Sequence, residues 1–233
     1  IEYSTISNLP LNGSGIILND GCDNLQINYN TFNVSGDYGL YARYSSYSEY
    51  KGNIIDSSPN YPFYLEEGHN SLFSSNTIND FREYALYCQG CENFIIEENH
   101  FLFTLNGGWK QALRNTASNG DRSTIIRYNT FIADLDSFNG DRAEFYAMEF
   151  KDAVVHNNVI NFDISNATNF NSYASGIISE YSHIHDNTIY INDPSGNSSG
   201  TAIQSWSSSS NRADVHDNHI TTLGDSYGIK GSY

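Results

Sequence analysis

The chain has 233 residues, 39% of them hydrophobic, and a formal net charge of −16 from 27 acidic against 11 basic side chains. An acidic surface of that size repels phosphate backbones, which excludes a nucleic-acid partner. No apolar run approaches ~18 residues, so no helical membrane span is expected, and three cysteines supply no disulfide framework.

From the first residue onward the chain repeats one figure: an apolar residue, two variable residues, Asn, one more residue, and another apolar residue. VVHNNVI (154–160) and HIHDNTI (183–189) show it plainly. Asn30, Asn53, Asn76, Asn99, Asn129, Asn158, Asn187 and Asn218 hold the Asn place, and Ser4 holds its equivalent at the start. Successive spacings from Ser4 are 26, 23, 23, 23, 30, 29, 29 and 31 residues. A second apolar column runs through Ile16, Leu40, Phe63, Leu86, Leu113, Met148, Ile177, Ile203 and Ile229. Each of these follows a small or turn residue such as Gly39, Pro62 or Ala85.

Helices are excluded, because apolar residues never recur at i+3, i+4 and i+7 over a long window. Short strands joined at a fixed period predict an all-β fold: a right-handed parallel β-helix over residues 1–233, one domain of about nine rungs. Asn amides both donate and accept, so a stack of them satisfies the buried turn from rung to rung. Ile1 already sits in a core column and YGIKGS (227–232) still reads as strand. The expectation is a slice of a longer protein, or ends covered by flanking domains or by partner chains, as in a homotrimer.

From each ladder Asn to the next inward strand the distance is 10 residues for Asn30, Asn53 and Asn76. It grows to 14, 19, 19 and 16 for Asn99, Asn129, Asn158 and Asn187. Four consecutive rungs are thus expected to grow loops, at 102–111, 132–146, 161–175 and 190–201, walling a groove on one edge. Strand alternation puts Tyr41, Tyr64, Tyr87, Arg114 and Glu149 in one outward column beside it. Arg43, Glu66, Gln89, Lys151, Glu180 and Trp206 stand in the next.

Glu149 and Glu180 are the candidate catalytic pair. One rung and two strand positions separate them, roughly 8 Å between Cα atoms, and carboxyls about 6.5–9.5 Å apart suit an inverting glycosidase. Arg114 and Lys151 are candidates for binding a sugar carboxylate. In a lyase, Lys151 or a tyrosine would take the proton beside a uronate and Arg114 would stabilise the anion. The same residues also read as surface pairs with no chemistry: Arg114 opposite Glu149, Lys151 opposite Glu180, Arg43 opposite Glu66. Tyr64, Tyr87, Gln89, Trp109, Tyr173 and Trp206 are the candidate substrate-binding residues, since exposed rings suit the apolar faces of sugars.

Weaker signals lie elsewhere. His156, His185 and His216 stack outward on a different strand and read as a solvated ladder rather than a metal site. The loop DLDSFNGDRAE (134–144) offers Asp134, Asp136 and Asp141 as a candidate calcium loop; no other cofactor is expected. Cys88 and Cys91 form a C-x-x-C with no second pair to complete a zinc site, so Cys88 reads as core filling.

The asparagine ladder resembles that of the right-handed parallel β-helix superfamily of pectate lyases, polygalacturonases and related carbohydrate-active enzymes. The VHDNT-like rungs and the wealth of Tyr, Asn and Ser also resemble the disaggregatase-related β-helices of methanogen surface proteins. What the resemblance implies is an extracellular or cell-surface protein that cleaves glycosidic bonds in a polysaccharide, by extension a chondroitin-like matrix. Hydrolysis is preferred to elimination because the groove carries more acids than the basic surface of uronate lyases. The competing class is a non-catalytic surface or carbohydrate-binding module that uses the β-helix as a rigid rod.

Overall fold

The computed structural model describes residues 1–7, 13–19, 21–56, 59–103, 108–116, 124–134, 142–165, 171–193, 200–207, 213–224 and 226–232. Among them every regular element is a β-strand, and every strand pair is parallel. Three sheets run the length of the solenoid. A nine-stranded sheet follows the ladder Asn, from Thr5–Ser7 to His219–Gly224. A second nine-stranded sheet, here the broad sheet, runs from Ile16–Leu18 to Tyr227–Ser232. An eight-stranded sheet precedes the ladder, from Gln26–Asn28 to Asp214–His216. The chain is a parallel β-helix.

The ladder forms as the repeat requires. Each Asn from Asn30 to Asn187 donates its Nδ2 to the Oδ1 of the next at 2.9–3.1 Å. Each also gives its backbone N–H to that oxygen, at 2.9–3.0 Å. The remaining amide hydrogen reaches a carbonyl of the preceding coil, as from Asn99 to Phe73 at 3.0 Å. The residue before the Asn takes a left-handed conformation, for example Glu98 (φ 59°), Tyr128 (φ 56°) and Asp186 (φ 54°). That turn swings the Asn side chain inward, where no water could replace its partners.

Inside, rungs stack like on like. Phe101 lies on Phe131 with centroids 4.9 Å apart and planes 8° from parallel, and Phe63 meets Phe73 edge-on at 4.9 Å. Cys88 and Cys91 are buried free thiols, and Cys22 is free as well. Burial first of all, then a hydrogen bond with Cys91, pushes the Cys88 thiol up, which removes it from nucleophilic chemistry. The interior holds one lysine: Lys110 is 2% exposed, with its Nζ 3.3 Å from Asp80 Oδ1. Burial lowers its pKa and Asp80 opposes the fall. It sits in the coil where the ladder spacing jumps from 23 to 30 residues.

The segments expected as loops are partly strand. Residues 102–103 close the strand His100–Phe103 and 108–111 open Gly108–Asn115. Residues 132–134 close Thr130–Asp134 and 142–146 open Arg142–Lys151. Residues 161–163 and 171–175 join Val159–Asp163 and Asn171–Glu180, and 190–193 end Thr188–Asp193. Extra residues therefore widen both flanking sheets, because a strand extended beside an equally extended neighbour satisfies its backbone through the ladder. The centres of these insertions, 104–107, 135–141, 166–170 and 194–199, lie outside the described residues.

Strict alternation breaks at one place in the broad-sheet strands Tyr38–Arg43 and Tyr61–Glu66. In Tyr38–Arg43, Gly39 and Leu40 are both buried, while Tyr38 and Tyr41 both stay partly exposed; Tyr61–Glu66 repeats the pattern. The first of the two inward residues must be small. A Cβ on Gly39 would stand 2.5 Å from the Pro62 carbonyl oxygen, so Gly39→Ala must push one coil off the next. We expect a loss of about 1–3 kcal/mol, read as a lower thermal midpoint; an unchanged midpoint would show that the coils can separate freely here.

Candidate functional site

The slipped alternation sets two tyrosines side by side on each of three rungs: YGLY (38–41), YPFY (61–64) and YALY (84–87). The parallel register then aligns the rungs, Tyr38 beside Tyr61 and Tyr41 beside Tyr64 beside Tyr87. Tyr38–Tyr61 and Tyr61–Tyr84 stack with centroids 5.5 and 5.6 Å apart. The run continues through Trp109 (4.8 Å from Tyr84), Tyr146 (5.9 Å from Trp109) and Tyr173 (5.3 Å from Tyr146). Rings thus line one face over six coils. Their hydroxyls are anchored: Tyr41 donates to Glu66 at 2.8 Å, Tyr61 to Glu83 at 2.7 Å and Tyr64 to Gln89 at 2.6 Å. Burial, with the Glu66 hydrogen bond, pushes the Tyr41 hydroxyl up to about 12; burial with neighbouring Tyr87 and Glu66 does the same at Tyr64. None of these phenols is a base near neutral pH.

Where the tyrosine pairs end, charge begins. Arg114 is in register with Tyr87 on one side and Glu149 on the other. Its Nη1 donates to the Tyr84 hydroxyl at 2.6 Å, and its Cζ stands 5.7 and 5.8 Å from the Tyr84 and Tyr87 ring centroids. Its Nε is 3.8 Å from Glu149 Oε2. Burial works against the Arg114 charge, but Glu149 and the Tyr84 hydroxyl outweigh it and its pKa is raised. Gln111, in register between Tyr84 and Tyr146, donates its Nε2 to the same Glu149 Oε2 at 3.2 Å. One hydrogen bond, from Gln111, and one longer ion-pair contact, from Arg114, therefore meet at one carboxylate oxygen, and the Glu149 side chain is still 40% exposed.

Glu180 stands between Lys151 and Trp206 in register. Lys151 Nζ is 2.7 Å from Glu180 Oε2, and this hydrogen bond raises the Lys151 pKa against partial burial. Arg43 and Glu66 pair at 3.1 Å. All three cross-rung pairs legible in the sequence thus form. Tyr64, Tyr87, Gln89, Trp109, Tyr173 and Trp206 all lie on the broad sheet. Tyr87 borders the Arg114–Glu149 centre, Trp109 packs on Tyr84 and Tyr146, Trp206 borders Glu180, and Gln89 serves as partner to Tyr64. Tyr38, Tyr61, Tyr84, Tyr146 and Gln111 are further residues of this face. Their signal is the recurring tetrad of outward residue, small residue, apolar residue, outward residue, which also frames QALR (111–114) and YAME (146–149).

His156, His185 and His216 stack on the sheet before the ladder, centroids 5.1 Å apart and planes 2° from parallel. Each Nδ1 is fixed by the next residue: Asn157, Asp186 and Asp217, at 2.8–2.9 Å. Two imidazoles sharing one metal need nitrogens within about 4.2 Å, given metal–nitrogen bonds of ~2.1 Å. Parallel rings 5.1 Å apart do not offer that, and among the described residues no group of three or more His, Cys, Asp or Glu is placed to hold a metal. The hydrogen bond that His216 gives to Asp217, then nearby Asp214, raises the His216 pKa above its ordinary 6.5. A raised value means the pair's stabilisation is full below ~6.5 and fades as pH rises through the folded value. Proton NMR should show His216 titrating above 6.5, and Asp217→Asn should lower that midpoint; no response would remove Asp217 as the cause. Of the candidate calcium loop, Asp134 ends the strand Thr130–Asp134, while Asp136 and Asp141 lie outside the described residues.

Fold and face together define a parallel β-helix solenoid with an aromatic and charged broad sheet. The chain belongs to the family described as the right handed beta helix region, whose model matches residues 1–131, more than half its length. That membership fits the pectate-lyase-like superfamily. No curated protein and no solved structure matches it. Among the described residues no helix is long and apolar enough to cross a membrane.

Proposed function

We propose that the outer face of the broad sheet binds an extended polysaccharide and that the protein cleaves its glycosidic bonds outside the cell. The observation that carries this reading is the continuous ring path from Tyr38 to Tyr173 running directly past the Arg114–Glu149 pair. Rings of this kind stack on sugar faces, while hydroxyls tied to carboxylates and amides fix how they lie on the sheet. Arg114 and Lys151 favour a chain bearing carboxylates, which includes a chondroitin-like matrix polymer. No resident cofactor is required by this chemistry, and calcium remains a proposal for the segment around Asp134.

In hydrolysis Glu149 activates water and Glu180 protonates the leaving oxygen. Lys151 holds Glu180 at 2.7 Å; a uronate drawn to Lys151 would compete for that ammonium and free the Glu180 carboxyl for the leaving oxygen. One observation favours elimination as a second reading. A carboxylate held beside a guanidinium, as Glu149 is beside Arg114, supplies both a base and an anion stabiliser. A third reading, a non-catalytic binding module, draws on the pairing of every one of these charges with a register neighbour. The test is to incubate the protein with acidic and neutral polysaccharides and read reducing ends and unsaturated-uronate absorbance together. New reducing ends alone support hydrolysis, absorbance supports elimination, and retention on a glycan surface without products leaves the binding module.

A further inference from the structure

We propose that Gln111 is a positioning residue that fixes the Glu149 carboxylate for reaction, an inference that rests on the catalytic reading above. Gln111 is fully buried although it stands on the outer side of the broad sheet, covered where Tyr84, Arg114, Tyr146 and Glu149 meet. Its Nε2 donates to the Leu113 carbonyl oxygen and to Glu149 Oε2, both at 3.2 Å. Both partners only accept, so the amide cannot be turned the other way round. Its own Oε1 is buried with no hydrogen-bond partner among the described residues. A buried amide that leaves its acceptor unused is a poor choice for stability alone. Its geometry serves the carboxylate instead.

The consequence is an asymmetric Glu149. Oε2 takes Gln111 at 3.2 Å and faces Arg114 Nε at 3.8 Å, while Oε1 has no partner among the described residues. A donor on one oxygen locks the torsion of the carboxyl group. The free oxygen is then presented to solvent as the base. The other charged and titratable groups around it are Tyr84 and Tyr87 on the strand Tyr84–Gln89, and Glu144, Tyr146 and Lys151 on its own strand. On the far side the strand Asn171–Glu180 offers Ile178 in register and Glu180 beyond it. Among the described residues, Gln111 hydrogen-bonds Oε2 and Arg114 Nε stands off at 3.8 Å as its ion-pair partner.

The experiment uses the full chain with Gln111→Met, which keeps the volume and removes the donor, and Gln111→Glu, which replaces it by an acceptor. Glutamate carboxyls are labelled with carbon-13 and observed by NMR at one fixed neutral pH, and the Glu149 resonance is assigned by its loss in Glu149→Gln. The Glu149 carboxyl resonance should move in both variants, further in Gln111→Glu than in Gln111→Met, while the other glutamate resonances keep their places. Cleavage should lose roughly tenfold in kcat with KM within about twofold. A Glu149 carboxyl resonance unmoved in both variants overturns the proposal, even where both lower thermal stability, because the loss would then not pass through the carboxylate. The spectrum is read whether or not the wild-type protein cleaves any substrate. Absence of cleavage therefore overturns the catalytic reading, and an unmoved resonance overturns the role of Gln111.

Discussion

Asn129→Ala should lower stability by about 4 kcal/mol, among the larger effects available to a single substitution in this chain. Asn129 is fully buried. Its Oδ1 accepts the backbone N–H of Asn99 at 3.0 Å and the Asn99 amide at 2.9 Å. Its Nδ2 reaches Ile96 O at 2.9 Å, and Arg127 O and Asn158 Oδ1 at 3.0 Å. Alanine leaves these groups in a dry turn with no water to take over, at about 1–3 kcal/mol for each that stays unpaired. For a chain of this length that is a fall of roughly 10 °C in Tm. Because stability in a solenoid is a sum of neighbour terms, a mid-ladder break should also broaden or split the transition. Asn218→Ala is the internal control. That residue is only half-buried at the last rung, although it accepts from Asn187 at 2.9 and 3.0 Å, so water can replace what is lost. Circular dichroism melts decide the matter: equal losses at Asn129 and Asn218 would remove burial of the stack as the source of the effect.

The same neighbour logic explains what could be read from the sequence. In a parallel solenoid the residue opposite any position lies one period away, so a regular period by itself fixes the register. Arg114 opposite Glu149 and Lys151 opposite Glu180 were therefore legible, as were the ladder and both core columns. Tyr38, Tyr61 and Tyr84 were not, because period-two alternation places them inside, next to Leu40, Phe63 and Leu86. Close approach of the coils at Gly39 and its equivalents forces two inward residues in succession, and that slip turns the tyrosines out. The growth of spacing after Asn99 was visible, but spacing alone does not distinguish a loop from a longer strand. That depends on whether the next coil offers a matching edge, and Arg142–Lys151 beside Asn171–Glu180 does. Lys110 and Gln111 escaped because a polar residue at the start of a widened strand carries no periodic mark. Their partners, Asp80 and Glu149, come from other coils and are not their register neighbours, which for Gln111 are Tyr84 and Tyr146.

Glu149→Gln should abolish cleavage, by roughly a thousandfold, while leaving the fold intact. The substitution is isosteric, and the new amide oxygen can still accept from Gln111 Nε2, so local geometry survives. What is lost is the capacity to take a proton, a contribution of about 10²–10⁴ in rate. Stability should change by no more than about 1 kcal/mol, since the Arg114–Glu149 contact at 3.8 Å is partly exposed and screened. Affinity for the polysaccharide should be retained or increased, because the ring path from Tyr38 to Tyr173 is untouched and a negative charge facing an acidic chain is removed. Glu180→Gln separates the two chemistries. Hydrolysis through a carboxyl pair loses activity at both positions, whereas elimination by Glu149 and Arg114 tolerates the change at Glu180 and fails when Arg114→Lys removes the planar guanidinium. Full activity in Glu149→Gln would place the base elsewhere on the broad sheet. Unchanged binding with no product in any form, wild type included, would make this face a receptor for polysaccharide rather than a catalyst, with the charged pairs serving only to hold neighbouring coils in register.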